Sequence, residues 1–341
     1  MKRSLYISVL SVVASFAVVM LHTNSCYWMF STESYWVTAN VIECVMYFAV
    51  PVFFMISGAT LMDYRERYTT KEYFIKRIKK TLIPFIIWNI VGLIYCILRK
   101  RISITSTLLI DFLEMMFNNQ IVEIYWFFIS LFSVYMSIPL FSAIPKEKRK
   151  NLFVYLAIGG FCFNCLLPFI STILGFLYNY ELQIGVVSEY LFYIVIGYLL
   201  HEYECDKKWR YIIYFSGIIG LLIHSAGTYY LSMNAGQVIS MFKGYNNLPS
   251  VLYAVAFFVF TKQFVKRVEN NKIIQFIAML HKYTFSVFLM HWFVKDILIS
   301  IFDIDIRMII YRVGAPIIIF AICILITKIV RKCSIGKYLL P

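Results

Sequence analysis

The chain has 341 residues, 61% of them hydrophobic and 18% aromatic, with a mean hydropathy of +0.75. That composition excludes a soluble globular domain and points to an all-α, polytopic membrane protein. The net charge of +14 does not mark a nucleic-acid binder, because the cations fall in short loops between apolar runs and not on one folded basic face.

Ten apolar runs read as membrane spans, at about 5–23, 37–60, 81–98, 123–143, 151–170, 188–200, 211–231, 248–265, 283–302 and 309–330. The run at 188–200 is short. An even number of crossings puts both termini on one side, and Lys and Arg choose that side. Of 32 basic residues, 25 lie in 1–3, 61–80, 144–150, 201–210, 262–282 and 328–341, so both termini are expected in the cytoplasm. Arg99, Lys100 and Arg101 break the rule locally. Residues 1–341 read as one membrane-embedded domain of a bacterial plasma membrane, and the first run reads as an uncleaved span, since no small-x-small cleavage site follows it. Eight cysteines are scattered along the chain; Cys162-x-x-Cys165 lies within an apolar run and reads as small buried thiols, with no metal site.

Chemistry is expected where ionisable groups enter the spans. His22 ends the first run, roughly 26 Å above Leu5 by helical rise. Such a group in lipid is a functional candidate by default. Glu43, some six residues into the second span, lies at matching depth and is expected to hold one imidazole nitrogen while the other serves as general base. In 48–64, Pro51 and the Ser57-Gly58 pair permit close approach of another chain or a ligand, with tight helix packing as the plainer reading. Lys76, Arg77, Lys79 and Lys80 then crowd the mouth of span 3 ahead of Pro84. They suit a phosphorylated donor, and positive-inside topology accounts for them too. Trp28 and Trp126, with Tyr27, Tyr35 and Trp36, sit toward the outer face, where they stack on a sugar or belong to the interfacial belt. His291 and Lys295 lie one turn apart on a single stripe of span 9. His201, His224 and His281 receive no role.

The order of motifs resembles the membrane-bound acyltransferase 3 family of bacterial integral-membrane O-acyltransferases. The matching pieces are FAVVMLH at 16–22, VPVFFMISG at 50–58, KRIKKTLIP at 76–84, YWFFISLFSVYMSIP at 125–139 and KYTFSVFLMH at 282–291. The resemblance implies transfer of an acyl group, usually acetyl from cytoplasmic acetyl-CoA, to a glycan hydroxyl outside, with the acyl-CoA as co-substrate and no bound cofactor. It makes His22 the essential residue. It also maps a basic Arg-x-x-Arg motif that holds the coenzyme A phosphates onto Arg77 and Lys80. Where family members carry an acidic residue and an arginine in span 1, this chain has Ser8 and Ser11. If a cation is needed there, Lys79 or Arg312 is expected to supply it.

Two further readings stand beside the enzyme. One is a non-catalytic exporter of a cell-surface polysaccharide or its lipid-linked precursor, which the serines at 8 and 11 favour and the lack of paired repeats opposes. The other is a structural partner in a polysaccharide assembly. Membrane lipid and a glycan, with no nucleic acid, are the expected surroundings. For the enzyme, an acyl-histidine relay through His22 is as consistent with these residues as general-base catalysis.

Overall fold

The computed structural model describes residues 4–102, 108–334 and 336–341. Among the described residues, nine helices are long and apolar enough to cross a membrane: α1 (Leu5–Thr23), α2 (Ser34–Glu66), α3 (Thr70–Leu98), α4 (Glu123–Ser142), α5 (Lys146–Leu174), α7 (Lys207–Ala235), α8 (Leu248–Arg267), α9 (Lys272–Phe302) and α10 (Ile309–Val330). The short sixth run forms α6 (Tyr190–Glu202), 13 residues long, which at 1.5 Å per residue spans roughly 20 Å of a ~30 Å core. Among the described residues there is no strand. All ten expected spans are therefore helices.

Helix boundaries depart from the hydropathy reading at the loops. Hydropathy starts span 3 at about residue 81, yet α3 starts at Thr70. A capping box explains this: Thr69 Oγ1 accepts from the Glu72 amide at 3.3 Å, and the Thr69 amide donates to Glu72 Oε2 at 2.8 Å. Span 2 is not one straight helix either. Pro51 offers no amide to the carbonyl four residues back, and α2 breaks at Tyr47–Phe48.

Irregular backbone precedes α6, and hydrocarbon tolerates such backbone only where its polar groups are satisfied. Asn164 on α5 meets that need. Its Nδ2 donates to the Ile184 and Val187 carbonyls at 3.1 and 3.0 Å, and its Oδ1 accepts from the Ile184 amide at 2.9 Å. On its other side α6 lies against α2 at backbone contact. A Cβ at Gly58 would stand 2.0 Å from the Ile194 carbonyl oxygen, and one at Gly197 would stand 2.1 Å from that of Met55. Close packing, the plainer reading of Ser57-Gly58, is thus part of what the motif does. Gly197→Ala should cost at least the roughly 1–3 kcal/mol of an overpacked core, read as a lower melting temperature in detergent. An unchanged melting point would show that α2 and α6 slide freely.

Helix α1 is apolar all round and mostly buried, packed among α2, α8, α9 and α10. Helix α7 is peripheral and leans chiefly on α8. The exception to the charge rule has a packing cause. Arg101 Nη2 reaches both oxygens of Asp296 on α9 at 2.8 and 3.0 Å, Arg99 bonds Ser300, and Tyr95 donates to Asp296 at 2.5 Å. These bonds clasp the ends of α3 and α9. All eight cysteines are free, with Cys165 buried and Cys162 half-buried.

Candidate functional site

Two cavities lie along α1. Ser11 lines one, and Val18 and His22 line the other. Spacings of seven and four residues put these three side chains on one face of the helix. The same logic acts on α9, where His281, Thr284, Phe285 and Phe288 form one stripe along the first cavity. Ser11 and His22 are eleven residues apart, so the chambers are offset by roughly 16 Å along the axis.

The first cavity, about 420 Å³, lies on the face that carries both chain ends. Arg77, Lys80 and Lys282 line it together with His281, Ser57 and Thr81, under a roof of Phe53, Phe127, Leu131 and Phe288. Pro84 supplies no amide to the Lys80 carbonyl, and α3 widens into a π-turn at Ile78–Leu82, a distortion frequent at functional sites. Arg77 stands 5.3 Å over the Tyr135 ring and 5.8 Å over Tyr73, with its Nε buried and without a hydrogen-bond partner. Lys76 and Lys79 do not line this cavity. The Lys76 ammonium sits 3.6 Å over the Tyr68 ring instead, and Lys79 is exposed.

Neither residue expected to replace the missing span 1 arginine is beside Ser11. Lys79 is outside the cavity, and Arg312 lies at the other end of α1, where its backbone carbonyl accepts from Thr23 at 3.4 Å and its Nη2 donates to Thr38 at 2.7 Å. Lys282, on a motif visible in the sequence but assigned no role, is the additional cation there.

The second cavity, about 330 Å³, is lined by His22, Trp28, Glu43, Tyr47, Trp126, Lys243 and Tyr245, among others. Four of these were expected from sequence; Tyr47, Lys243 and Tyr245 were not. The break at Tyr47–Phe48 turns the Tyr47 ring onto Tyr245, stacked at 4.5 Å, and Tyr245 stacks in turn on Trp126 at 5.7 Å. Trp28 faces them from the rim, 58% exposed. Tyr27 and Trp36, by contrast, are fully buried in a small core of their own and belong to no interfacial belt.

Glu43 does not bond His22. Its carboxylate pairs with Lys243, both side chains being under a tenth exposed. The Lys243 ammonium also stands 4.6, 4.4 and 4.9 Å from the Tyr27, Trp28 and Tyr47 rings, a cage that stabilises a desolvated cation. Equal depth brought Glu43 to the right cavity. A nearer counter-charge, carried in by the α7–α8 loop, took the carboxylate.

What stands beside His22 is His291, with ring centroids 5.2 Å apart. The Val287 carbonyl can only accept, so His291 Nδ1 carries the proton and donates at 3.0 Å, leaving Nε2 buried and unpartnered. Lys295 Nζ reaches the His22 carbonyl at 3.4 Å. His291 and Lys295 thus back His22 and do not line the cavity wall. Phe127 and Phe288 line both cavities, their ring centroids 5.1 Å apart, and form the wall between them.

The fold defines a multi-pass membrane protein with two separate cavities along α1. The model of the acyltransferase 3 family, described as an acyltransferase domain, matches residues 4–328, and the chain belongs to that family. It is an enzyme that transfers acyl groups, which sets the export and scaffold readings aside. Neither the curated proteins nor the solved structures contain a match to it.

Proposed function

We propose that this acyltransferase takes an acyl group, acetyl first among the candidates, from a cytoplasmic acyl-CoA and passes it to a hydroxyl of an extracytoplasmic or lipid-linked glycan. One observation carries the reading: a cation-lined chamber and a His22 chamber stand end to end along one face of a single helix, divided by two aromatic rings. The donor's phosphates rest on Arg77, Lys80 and Lys282, and its thioester extends past Phe127 and Phe288. The saccharide lies between Trp28 and the Tyr47–Tyr245–Trp126 wall, where sugar faces pack on rings.

His22 accepts the hydroxyl proton as the acceptor oxygen attacks the thioester carbonyl. A C–O bond forms, the C–S bond breaks, and the imidazolium returns its proton to the departing thiolate. In the relay variant a His22 nitrogen attacks the thioester carbonyl, the C–S bond breaks and the thiolate leaves. The hydroxyl oxygen then attacks the acyl-imidazole, the C–N bond breaks, and the hydroxyl proton passes to the freed imidazole and on to the thiolate. Glu43 serves as a positioning residue in either case, holding Lys243 and its loop against the acceptor chamber. Membranes containing the protein, supplied with acetyl-CoA, should release free thiol only when the glycan is present. Thiol release equal with and without glycan would sink the acceptor assignment. Mass spectra of surface glycans from cells with and without the gene would identify the acyl group.

The donor half has its own test. Changing Arg77 and Lys80 together to Gln removes two charge-assisted contacts and should raise KM for acyl-CoA roughly tenfold or more, with a smaller fall in kcat. An unchanged KM would leave these cations to topology alone.

A further inference from the structure

A third cavity, about 160 Å³, opens between α7 and α8 at the face that carries both chain ends, away from both reaction chambers. Its origin is a change in how closely the two helices pack. Toward the other face they nearly touch, since a Cβ at Gly217 would lie 2.2 Å from that of Ala256 and one at Gly220 would lie 2.6 Å from the Pro249 carbonyl. Further down, Tyr211, Tyr214, Phe260 and Phe264 hold them apart. Lys207, Arg210 and Arg267 complete the lining at the first turn of α7 and the last of α8, where a membrane helix meets the phosphate layer of the bilayer.

The charge there is not neutralised by the protein. Arg210 is fixed by a 2.6 Å bond from its Nη1 to Gln263, which in turn donates to Glu204 at 3.2 Å. Burial pushes the Glu204 carboxyl up, but bonds from Lys266 and Lys262 outweigh it and hold the pKa down to about 2. That carboxylate is committed to two other lysines. Among the described residues, Lys207 and Arg267 have neither a salt bridge nor a hydrogen bond through their side chains. Above the cations, Tyr211, Phe260 and Phe264 are 62, 53 and 44% exposed, an apolar track leading from the cavity along the helices.

We infer that this cavity is a binding site for the headgroup of an anionic phospholipid. Arg210, held in place, and Arg267 receive the phosphate, Lys207 adds a third charge, and an acyl chain follows the aromatic track. A strongly hydrated free anion would make no use of that track.

The test compares protein in phosphatidylcholine nanodiscs doped with phosphatidylglycerol, counting retained phosphatidylglycerol by native mass spectrometry. A basic residue near the bilayer surface is worth about a fivefold in affinity, so R210Q/R267Q should weaken retention roughly 30-fold, and R210K/R267K should restore most of it. Should the double variant fail to fold, Lys207→Gln, an exposed change at the start of α7, should weaken retention about fivefold. Lys148→Gln, on the same face but outside the cavity, should change nothing. Retention unchanged in the Gln variants overturns the site, and an equal loss in Lys148→Gln reduces it to diffuse attraction. Displacement of the lipid by millimolar inorganic phosphate would also overturn it, making the cavity a free-phosphate site.

Discussion

His22→Ala should abolish acyl transfer while the protein still reaches the membrane in normal amount. The imidazole is only half-buried, its ring touches His291, and among the described residues its side chain makes no hydrogen bond, so little packing is lost with it. A general base contributes on the order of 10²–10⁴ in rate, and a covalent relay would lose the whole of its path. Thiol release and glycan modification would be measured against the amount of folded protein in the membrane. Wild-type turnover in the variant would end the catalytic assignment of His22.

The second large effect concerns the Glu43–Lys243 ion pair that lines the His22 cavity. Glu43→Gln leaves Lys243 buried without a counter-charge, and breaking a buried pair from one side costs about 3–5 kcal/mol. Lys243→Met strands the carboxylate in the same way. The double variant Glu43→Gln/Lys243→Met should recover most of the loss in melting temperature, since neither charge is then left alone. Activity separates the two roles open to Glu43. If it positions the Lys243 loop, either single change lowers turnover alike. A fall in kcat with Glu43→Gln but none with Lys243→Met would return Glu43 to His22 as its direct partner.

The membrane architecture was readable because run length and apolar content decide a span almost alone. Even the shortness of α6 was visible, although what holds the irregular backbone before it was not, because a lone Asn164 gives no sign of which backbone it will satisfy. His22 stood out for the same reason the spans did, as an ionisable group where apolar character is the rule. Its helical face could also be followed down to Ser11. The partner of Glu43 was not readable from depth, since matching heights on adjacent helices say nothing about charges arriving from a loop two hundred residues away. The signal that could have found it was Lys243 itself, a cation standing against the charge rule between two spans. Arg101 was such an exception too, and it pairs with Asp296. Lys243 and Arg101 thus marked carboxylates, whereas Lys295 and Arg312, also outside the rule, bond the His22 carbonyl and Thr38.

The wall of Phe127 and Phe288 has a consequence for the bilayer itself. A protein with two chambers end to end along one face of a helix risks becoming a pore, and such a pore would short-circuit an ion gradient. The two tilted rings, centroids 5.1 Å apart, set apolar surface between the chambers, where a hydrated ion would have to shed its water to pass. A donor arm threaded between the rings would fill the gap it opens and act as its own stopper. On this geometry the membrane is expected to stay electrically tight at rest, with the rings parting only while something occupies the passage.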